Sequence, residues 1–409
     1  MLVAAATIAV VWANSPWQES YENLWHSAVT IGAGVFLVET DLRHFVNDAL
    51  MALFFFVVGL EIKRELVHGE LRDRRIAALP VFAAVGGMVV PAAMYALVNR
   101  GGVGSHGWGI PMATDIAFAL GVLALLGSRI PPALKLFLLT LAIVDDVGAI
   151  VVIAIFYSSA INIAALAAAA VGIALSFALR RLRVDWAPVY VAIAIATWYA
   201  TYKSGVHATI AGVALAFATP TVRLAPSDTA RQWARNLSDE PSAGEVRQMT
   251  IVARESVSPA EHLEELLHPV TSFLVLPAFA LANAGVELRW GMLSAPGAAS
   301  VAGGVALGLV GGKLLGIVGG AWIGLRLRVA VLPEDLYWRQ LVGAAALGGI
   351  GFTVSLFVTG LAFTDPQLQD AAKLAILAAS LTAAVAGAAL LLLQRPPPQD
   401  DTTALRTVE

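Results

Sequence analysis

Two adjacent carboxylates, Asp145 and Asp146, stand in the middle of an otherwise apolar stretch, Leu134–Ile155. Asp115 interrupts a second such stretch, Ile110–Ser128, and Asp48 lies near the start of a third, Leu42–Leu60. Lys313 is the one basic residue deep in an apolar run, and His207 is a weaker case within Gly205–Val222. An ionisable side chain at membrane depth is costly and is a functional hypothesis by default. Neighbouring residues on a helix point about 100° apart, so the two aspartates cannot both face one partner. One can face a dissolved cation while the other faces a cationic side chain, and Lys313 is the natural candidate for that partner. Two acids this close in a low-dielectric cavity titrate as a pair, and carboxylate oxygens also suit a hard cation. Competition between protons and a metal cation at one site is sufficient chemistry for exchange. For Asp48, near the end of its run, a structural ion pair or a snorkelling side chain reads equally well.

The elements that must position these groups follow from composition. The chain has 409 residues, of which 58% are hydrophobic and 13% charged, and its mean hydropathy is +0.76. A soluble domain carries about 25% charged residues. This composition excludes a soluble enzyme, a disordered chain and a nucleic-acid binder. It predicts an all-α polytopic membrane protein. A span needs about 20 residues, and the apolar runs give about 12 transmembrane helices, beginning with a short one at Met1–Trp12. Val147–Leu179 is too long for one span, and Ser158, Ser159 and Asn162 mark its turn. The start has no basic region of the kind that opens a cleavable signal. With no cysteine in the chain, there is no disulfide and no thiolate chemistry. The net charge of −3 says nothing about partners.

Lysine and arginine set the orientation. With both termini in the cytoplasm, twenty of the 26 fall in inside loops. Arg43, Arg100, Lys203, Arg289 and Lys373 fall outside, and Lys313 lies within a span. The reverse orientation breaks the positive-inside rule fourfold. The transmembrane part is expected over 1–395, and 396–409 should form a disordered cytoplasmic tail. Residues 220–262 read as a long, partly flexible cytoplasmic loop. Residues 29–38, β-branched around a glycine turn, read as a possible external β-hairpin.

Glycine and proline suggest two broken helices. Gly107, Gly109 and Pro111 precede Ala113–Phe118, and Gly348-Gly349-Ile350-Gly351-Phe352-Thr353 interrupts a run in the second half. Interrupted helices in two halves point to an inverted-repeat transporter with its site where they cross. Broken helices expose partial charges, which Asp115 can offset at N-terminal ends and Lys313 at C-terminal ends. Elsewhere glycine means packing. Gly304, Gly308, Gly312, Gly316, Gly320 and Gly324 recur every four residues, a ridge that lets helices approach closely. Gly312-Lys313 is no nucleotide loop, since position 307 is leucine and no Ser/Thr follows the lysine.

Several stretches together carry a family resemblance. They are Asn47–Met51, Phe54–Leu66 (FFFVVGLEIKREL), Ala113–Ser128 (ATDIAFALGVLALLGS), Ala142–Ala149 (AIVDDVGA), Lys203–Gly212 (KSGVHATIAG), Leu276–Val286 (LPAFALANAGV) and Gly349–Ser355 (GIGFTVS). In this order they resemble the bacterial NhaA-type sodium/proton antiporters, a family that is itself a standard example of inverted-repeat architecture. The resemblance implies that Asp146 is the principal ion-binding carboxylate and Asp145 its partner, paired with Lys313. It implies that Thr114 and Asp115 belong to the unwound crossing, with Gly351 in the second break. Glu61, Lys63, Arg64 and Glu65 resemble a cytoplasmic funnel and pH-response cluster, which Glu264 and His268 face. His207 matches a histidine near the external side. The hairpin would join two protomers into a homodimer in a bacterial inner membrane. Two departures are Glu265, where some relatives carry histidine, and the length of the 220–262 loop.

The expectation is therefore a pH-regulated, electrogenic antiporter, not an enzyme. It exports Na+ or Li+ in exchange for H+ by alternating access. It needs no ATP and no cofactor, only the transported ions; its other partners are membrane lipids, with no nucleic acid. A sodium-coupled solute symporter would need an organic-substrate pocket, and a channel would show flux above carrier rates. An intramembrane aspartyl protease needs two aspartates on separate helices, one in Gly-x-Gly-Asp, which does not occur here. The cytoplasmic cluster reads equally well as an ordinary charged helix end.

Overall fold

The computed structural model describes residues 1–33, 36–127, 130–158, 160–182, 186–221, 235, 242–289, 291–333 and 335–393. The expected tail at 396–409 lies outside them, as does most of 220–241. The described residues are mostly helical, with one two-stranded sheet among them. The chain is an all-α polytopic membrane protein. Apolar side chains such as Leu125, Val171, Leu315 and Leu381 lie exposed on its outside, as lipid-facing positions should.

Helix α1 (Leu2–Ala13) is followed by α2 (Gln18–Trp25) and by an antiparallel pair, β1 (Ala28–Ala33) and β2 (Phe36–Asp41). The register runs from Ala28 opposite Asp41 to Ala33 opposite Phe36. Asp41 then caps α3 (Leu42–Val67) by accepting the His44 N–H at 2.7 Å. A π-turn at Val46–Leu50 opens α3. Next come α4 (Arg74–Val98), a 3-10 segment (Ser105–Met112), α5 (Ile116–Leu125) and α6 (Pro132–Phe156). Asn162 caps α7 (Ile163–Arg181), so the turn falls where the polar cluster Ser158–Asn162 predicts it. Helices α8 (Ala187–Lys203) and α9 (Thr209–Ala218) complete the first half.

Within 220–262 the described residues include α10 (Ala243–Glu255) and the start of the next helix at Pro259. The second half then runs α11 (Pro259–Asn283), α12 (Ala298–Arg326), α13 (Trp338–Leu347), α14 (Phe352–Ala362) and α15 (Pro366–Leu392). Among the described residues, eight helices are long and apolar enough to span a membrane, and α13 with α14, bent by 45°, makes a ninth. Sequence reading expects about twelve. The difference falls on α1, α8 and α9, which are 12, 17 and 10 residues long.

The glycine ridge of α12 packs into α4. A Cβ on Gly316 would lie 2.2 Å from the Gly86 carbonyl oxygen, and one on Gly320 would lie 2.1 Å from that of Phe82. Backbones this close exclude any side chain, and the close contact is made along one face only. Gly303 and Gly319, on other faces of the same helix, have nothing within 4 Å. A π-turn at Leu307–Gly312 directly precedes Lys313 and turns the helix there.

Candidate ion-binding site

The two breaks predicted from glycine and proline meet at the centre of the molecule. Between the 3-10 segment and α5, residues 113–115 are extended, and between α13 and α14, residues 348–351 are non-helical or terminal. Each break leaves backbone groups without helical partners, and the two breaks satisfy one another. The Asp115 N–H donates to the Ile350 carbonyl at 2.6 Å. The Thr114 hydroxyl lies 2.9 Å from the Gly348 carbonyl oxygen. The Ser355 hydroxyl donates to the Ile110 carbonyl at 2.7 Å.

Asp115 caps both half-helices. Its Oδ1 accepts the Phe118 N–H of α5 at 2.9 Å. Its Oδ2 accepts the Thr353 N–H of α14 at 3.1 Å and the Thr353 hydroxyl at 2.7 Å. One carboxylate thus sits at two positive helix ends. Lys313 makes no hydrogen bond to a helix-end carbonyl among the described residues. Its ammonium bonds the carboxylate of Asp145 on α6 instead.

Lys313 and Asp145 are both 0% exposed, and Asp146 is 4% exposed. Asp145 Oδ2 receives Lys313 and also lies 2.7 Å from the Thr114 hydroxyl. That hydroxyl has one proton and two acceptors, Asp145 and Gly348, so it can serve only one at a time. Asp145 Oδ1 is buried without a protein partner among the described residues. Asp146 makes no side-chain hydrogen bond or ion pair among them. Oxygen atoms of this kind, two carboxylates, a hydroxyl and a carbonyl, suit a hard cation. Among the described residues no cluster of three or more His, Cys, Asp or Glu forms a cage for a resident metal.

A family model described as Na+/H+ antiporter 1 matches residues 1–391. The chain belongs to this family. It is 46% identical over 387 residues to Na(+)/H(+) antiporter NhaA 3 of Frankia alni, covering 94% of this chain and 84% of that one. It is 47% identical over 399 residues to Na(+)/H(+) antiporter NhaA 2 of Myxococcus xanthus, with 94% and 84% covered. With Na(+)/H(+) antiporter NhaA of Rhodopirellula baltica it shares 46% over 398 residues, covering 94% and 89%. As a member of this antiporter family the chain is a transporter rather than an enzyme, and the ions it moves are cargo rather than cofactors.

The remaining sequence candidates divide. At the C-terminal end of α3, Arg64 bonds Glu264 of α11 at 2.5 Å and approaches Glu65 at 3.5 Å. Glu264 Oε2 is buried without a partner among the described residues. Glu61 lies one turn earlier on α3 and is half-buried, while His268 is exposed. Lys63 turns away from this cluster and caps the end of α9, donating to the Phe217 carbonyl at 2.7 Å and to that of Thr219. His207 Nε2 lies 2.6 Å from the Tyr157 carbonyl oxygen, a structural contact at the end of α6. Asp48 sits in the π-turn of α3, whose carbonyl accepts the Trp198 indole N–H at 3.0 Å. Gly351 lies in the second break, where a Cβ would meet Ser355 Oγ at 2.3 Å. Sequence reading gave no role to Thr353 or Ser355. Both lie next to the glycine break, yet their partners are more than two hundred residues away.

Proposed function

We propose that the chain is an electrogenic, pH-regulated antiporter that exports Na+ (or Li+) in exchange for H+ by alternating access at Asp145 and Asp146. The observation that carries this reading is the asymmetry of the pair. Asp145 is held by Lys313 and lies beside Thr114, while Asp146 has no protein partner among the described residues. Asp146 is thereby left to bind either a proton or the cation, with Thr114 and the Gly348 carbonyl as further oxygen ligands. Cation binding displaces a proton from Asp146. It also competes with Lys313 for Asp145, so a second proton leaves either Asp145 or Lys313. Exchange of two protons for one monovalent cation moves one net charge, worth about 2.3 kcal/mol per 100 mV. Asp115 supports the site by capping both half-helices, so the crossing keeps its shape while ions exchange.

The Arg64–Glu264 pair, with Glu61, Glu65 and His268 nearby in the chain, is the proposed pH-response region at the cytoplasmic mouth. The Lys/Arg distribution supports cytoplasmic termini in a bacterial inner membrane. The β1–β2 hairpin is the proposed contact between two protomers. A sodium-coupled symporter is the alternative, and a bound organic substrate coupled to sodium would favour it. The test is transport by the purified protein in liposomes with an imposed sodium gradient. Sodium-driven proton movement that generates a voltage supports the reading; sodium movement without proton movement overturns it.

A further inference from the structure

The 3-10 segment Ser105–Met112 runs for eight residues. Stretches of this helix longer than three or four residues are uncommon, because their hydrogen bonds are poorly aligned. The segment leads directly into the extended residues that carry Thr114 and Asp115, so its position bears on the crossing. Two buried tyrosines hold it from outside. The Tyr95 hydroxyl of α4 donates to the Gly104 carbonyl at 2.8 Å. The hydroxyl of Tyr157, the residue that follows α6, donates to the His106 carbonyl at 2.8 Å and accepts the Gly109 N–H at 3.1 Å. A hydroxyl has one proton and two lone pairs, so Tyr157 makes both bonds at once. The approach is close: a Cβ on Gly109 would lie 2.7 Å from that hydroxyl.

Tyr157 differs from Tyr95 in what else its helix carries. Asp145 lies on α6, and Thr114 lies two residues past the end of the 3-10 segment. Among the described residues, three hydrogen bonds join 105–115 to 132–157. Two are those of Tyr157, and the third runs from the Thr114 hydroxyl to Asp145. Ser355 holds the same segment at Ile110, but from α14. No proline interrupts α6 between Asp145 and its end, so the helix fixes one contact relative to the other. The Tyr157 backbone is held in turn, since its carbonyl oxygen lies 2.6 Å from His207 Nε2.

We propose that Tyr157 is a positioning residue for the ion site: its hydroxyl sets the height of the 3-10 segment along α6, so that Thr114 stands at Asp145. The proposal rests on the antiport reading, in which Thr114 is an oxygen ligand of the cation. Tyr157→Phe keeps the ring and its packing against Trp108, whose own ring stands edge-on to Phe156 at 5.0 Å. Only the two bonds of the hydroxyl are lost. The segment then keeps its anchors on α4 and α14 and loses those that tie it to α6. Thr114 is less well placed at Asp145, its hydroxyl turns more to the Gly348 carbonyl, and the cation binds more weakly.

Wild-type, Tyr157→Phe and Tyr95→Phe proteins are reconstituted in liposomes, and sodium-driven proton movement is measured against sodium concentration at one pH. Exchange by the wild-type protein establishes the antiport reading by itself; without it that reading fails, and this proposal with it. Tyr157→Phe should raise the sodium concentration for half-maximal rate about three- to tenfold, the worth of one hydrogen bond. Its maximal rate should stay within about twofold of wild type, as loss of binding alone predicts. Tyr95→Phe removes a buried hydroxyl from the same segment but none from its tie to α6. It should lower the melting midpoint and leave the sodium requirement unchanged. A second measurement needs no transport: sodium raises the thermal midpoint of a protein that binds it. The sodium concentration for half that rise should increase in Tyr157→Phe by the same factor. An unchanged sodium requirement in a Tyr157→Phe protein that melts cooperatively overturns the proposal. An equal change in Tyr95→Phe also overturns it, by marking both tyrosines as general supports of the segment.

Discussion

Lys313 and Asp145 are both fully buried, and the lysine ammonium bonds one oxygen of the carboxylate while the other oxygen has no protein partner among the described residues. Removing one member of a buried ion pair typically costs about 3–5 kcal/mol, because the charge left behind is uncompensated. Lys313→Ala is expected to lower the thermal midpoint of the purified protein by several degrees. It should also change the apparent proton affinity of exchange. A midpoint and a pH profile both equal to wild type would show that the pair is not formed.

Thr353 tests the crossing. Its hydroxyl donates to Asp115 beside the Phe118 and Thr353 N–H groups. A hydrogen bond to a charged group is worth about 1.5–3 kcal/mol. Thr353→Val should therefore slow exchange and lower the melting midpoint, whereas Thr353→Ser should restore both. Loss in the serine variant with none in the valine variant would assign the effect to packing by the methyl group.

The α4–α12 contact makes an internally controlled prediction. Gly316→Ala places a Cβ 2.2 Å from the Gly86 carbonyl oxygen, whereas Gly319→Ala meets nothing within 4 Å. Overpacking costs about 1–3 kcal/mol, and alanine in an open helical position gains up to about 1 kcal/mol over glycine. Melting should fall for Gly316→Ala and stay level or rise for Gly319→Ala. The reverse order would contradict the packing described here.

At the hairpin root, burial raises the Asp41 carboxyl, but the N–H and imidazole of His44 and the imidazole of His26 outweigh it and hold it below its ordinary value. A lowered folded value means that the stabilisation is present above the unfolded value and is lost as pH falls through the folded one. Asp41→Ala should cost about 1 kcal/mol near neutrality through loss of the cap. Melting curves of the two proteins should converge as pH drops below the ordinary carboxylate range. A gap that is constant with pH would mean that the charge contributes nothing.

Much of this architecture is legible in the sequence because membranes penalise charge so strongly. Asp145, Asp146, Asp115 and Lys313 stand out for that reason; scarcity of alternatives pairs Lys313 with one of the adjacent aspartates, and the choice of Asp145 rests on the family resemblance. The breaks at 113–115 and 348–351 are legible because glycine and proline disrupt helices locally. What the sequence conceals is long-range and geometric. Nothing in Thr353 announces a bond to Asp115, and nothing in Lys63 announces that it caps α9 rather than joining Glu61 and Arg64. The π-turns at 46–50, 271–275 and 307–312 leave no compositional mark, since one inserted residue barely changes an apolar pattern. His268, one turn beyond Glu264 on α11, is exposed.

The most direct test of the central claim is Asp146→Asn in proteoliposomes. Asparagine keeps the size of the side chain and removes its capacity to exchange a proton for a cation. With an inward sodium gradient, wild-type protein should drive proton movement and generate a voltage, and the variant should do neither while melting near the wild-type midpoint. Sodium-driven proton movement that persists in a folded Asp146→Asn protein would contradict the assignment of Asp146 as the exchanging site.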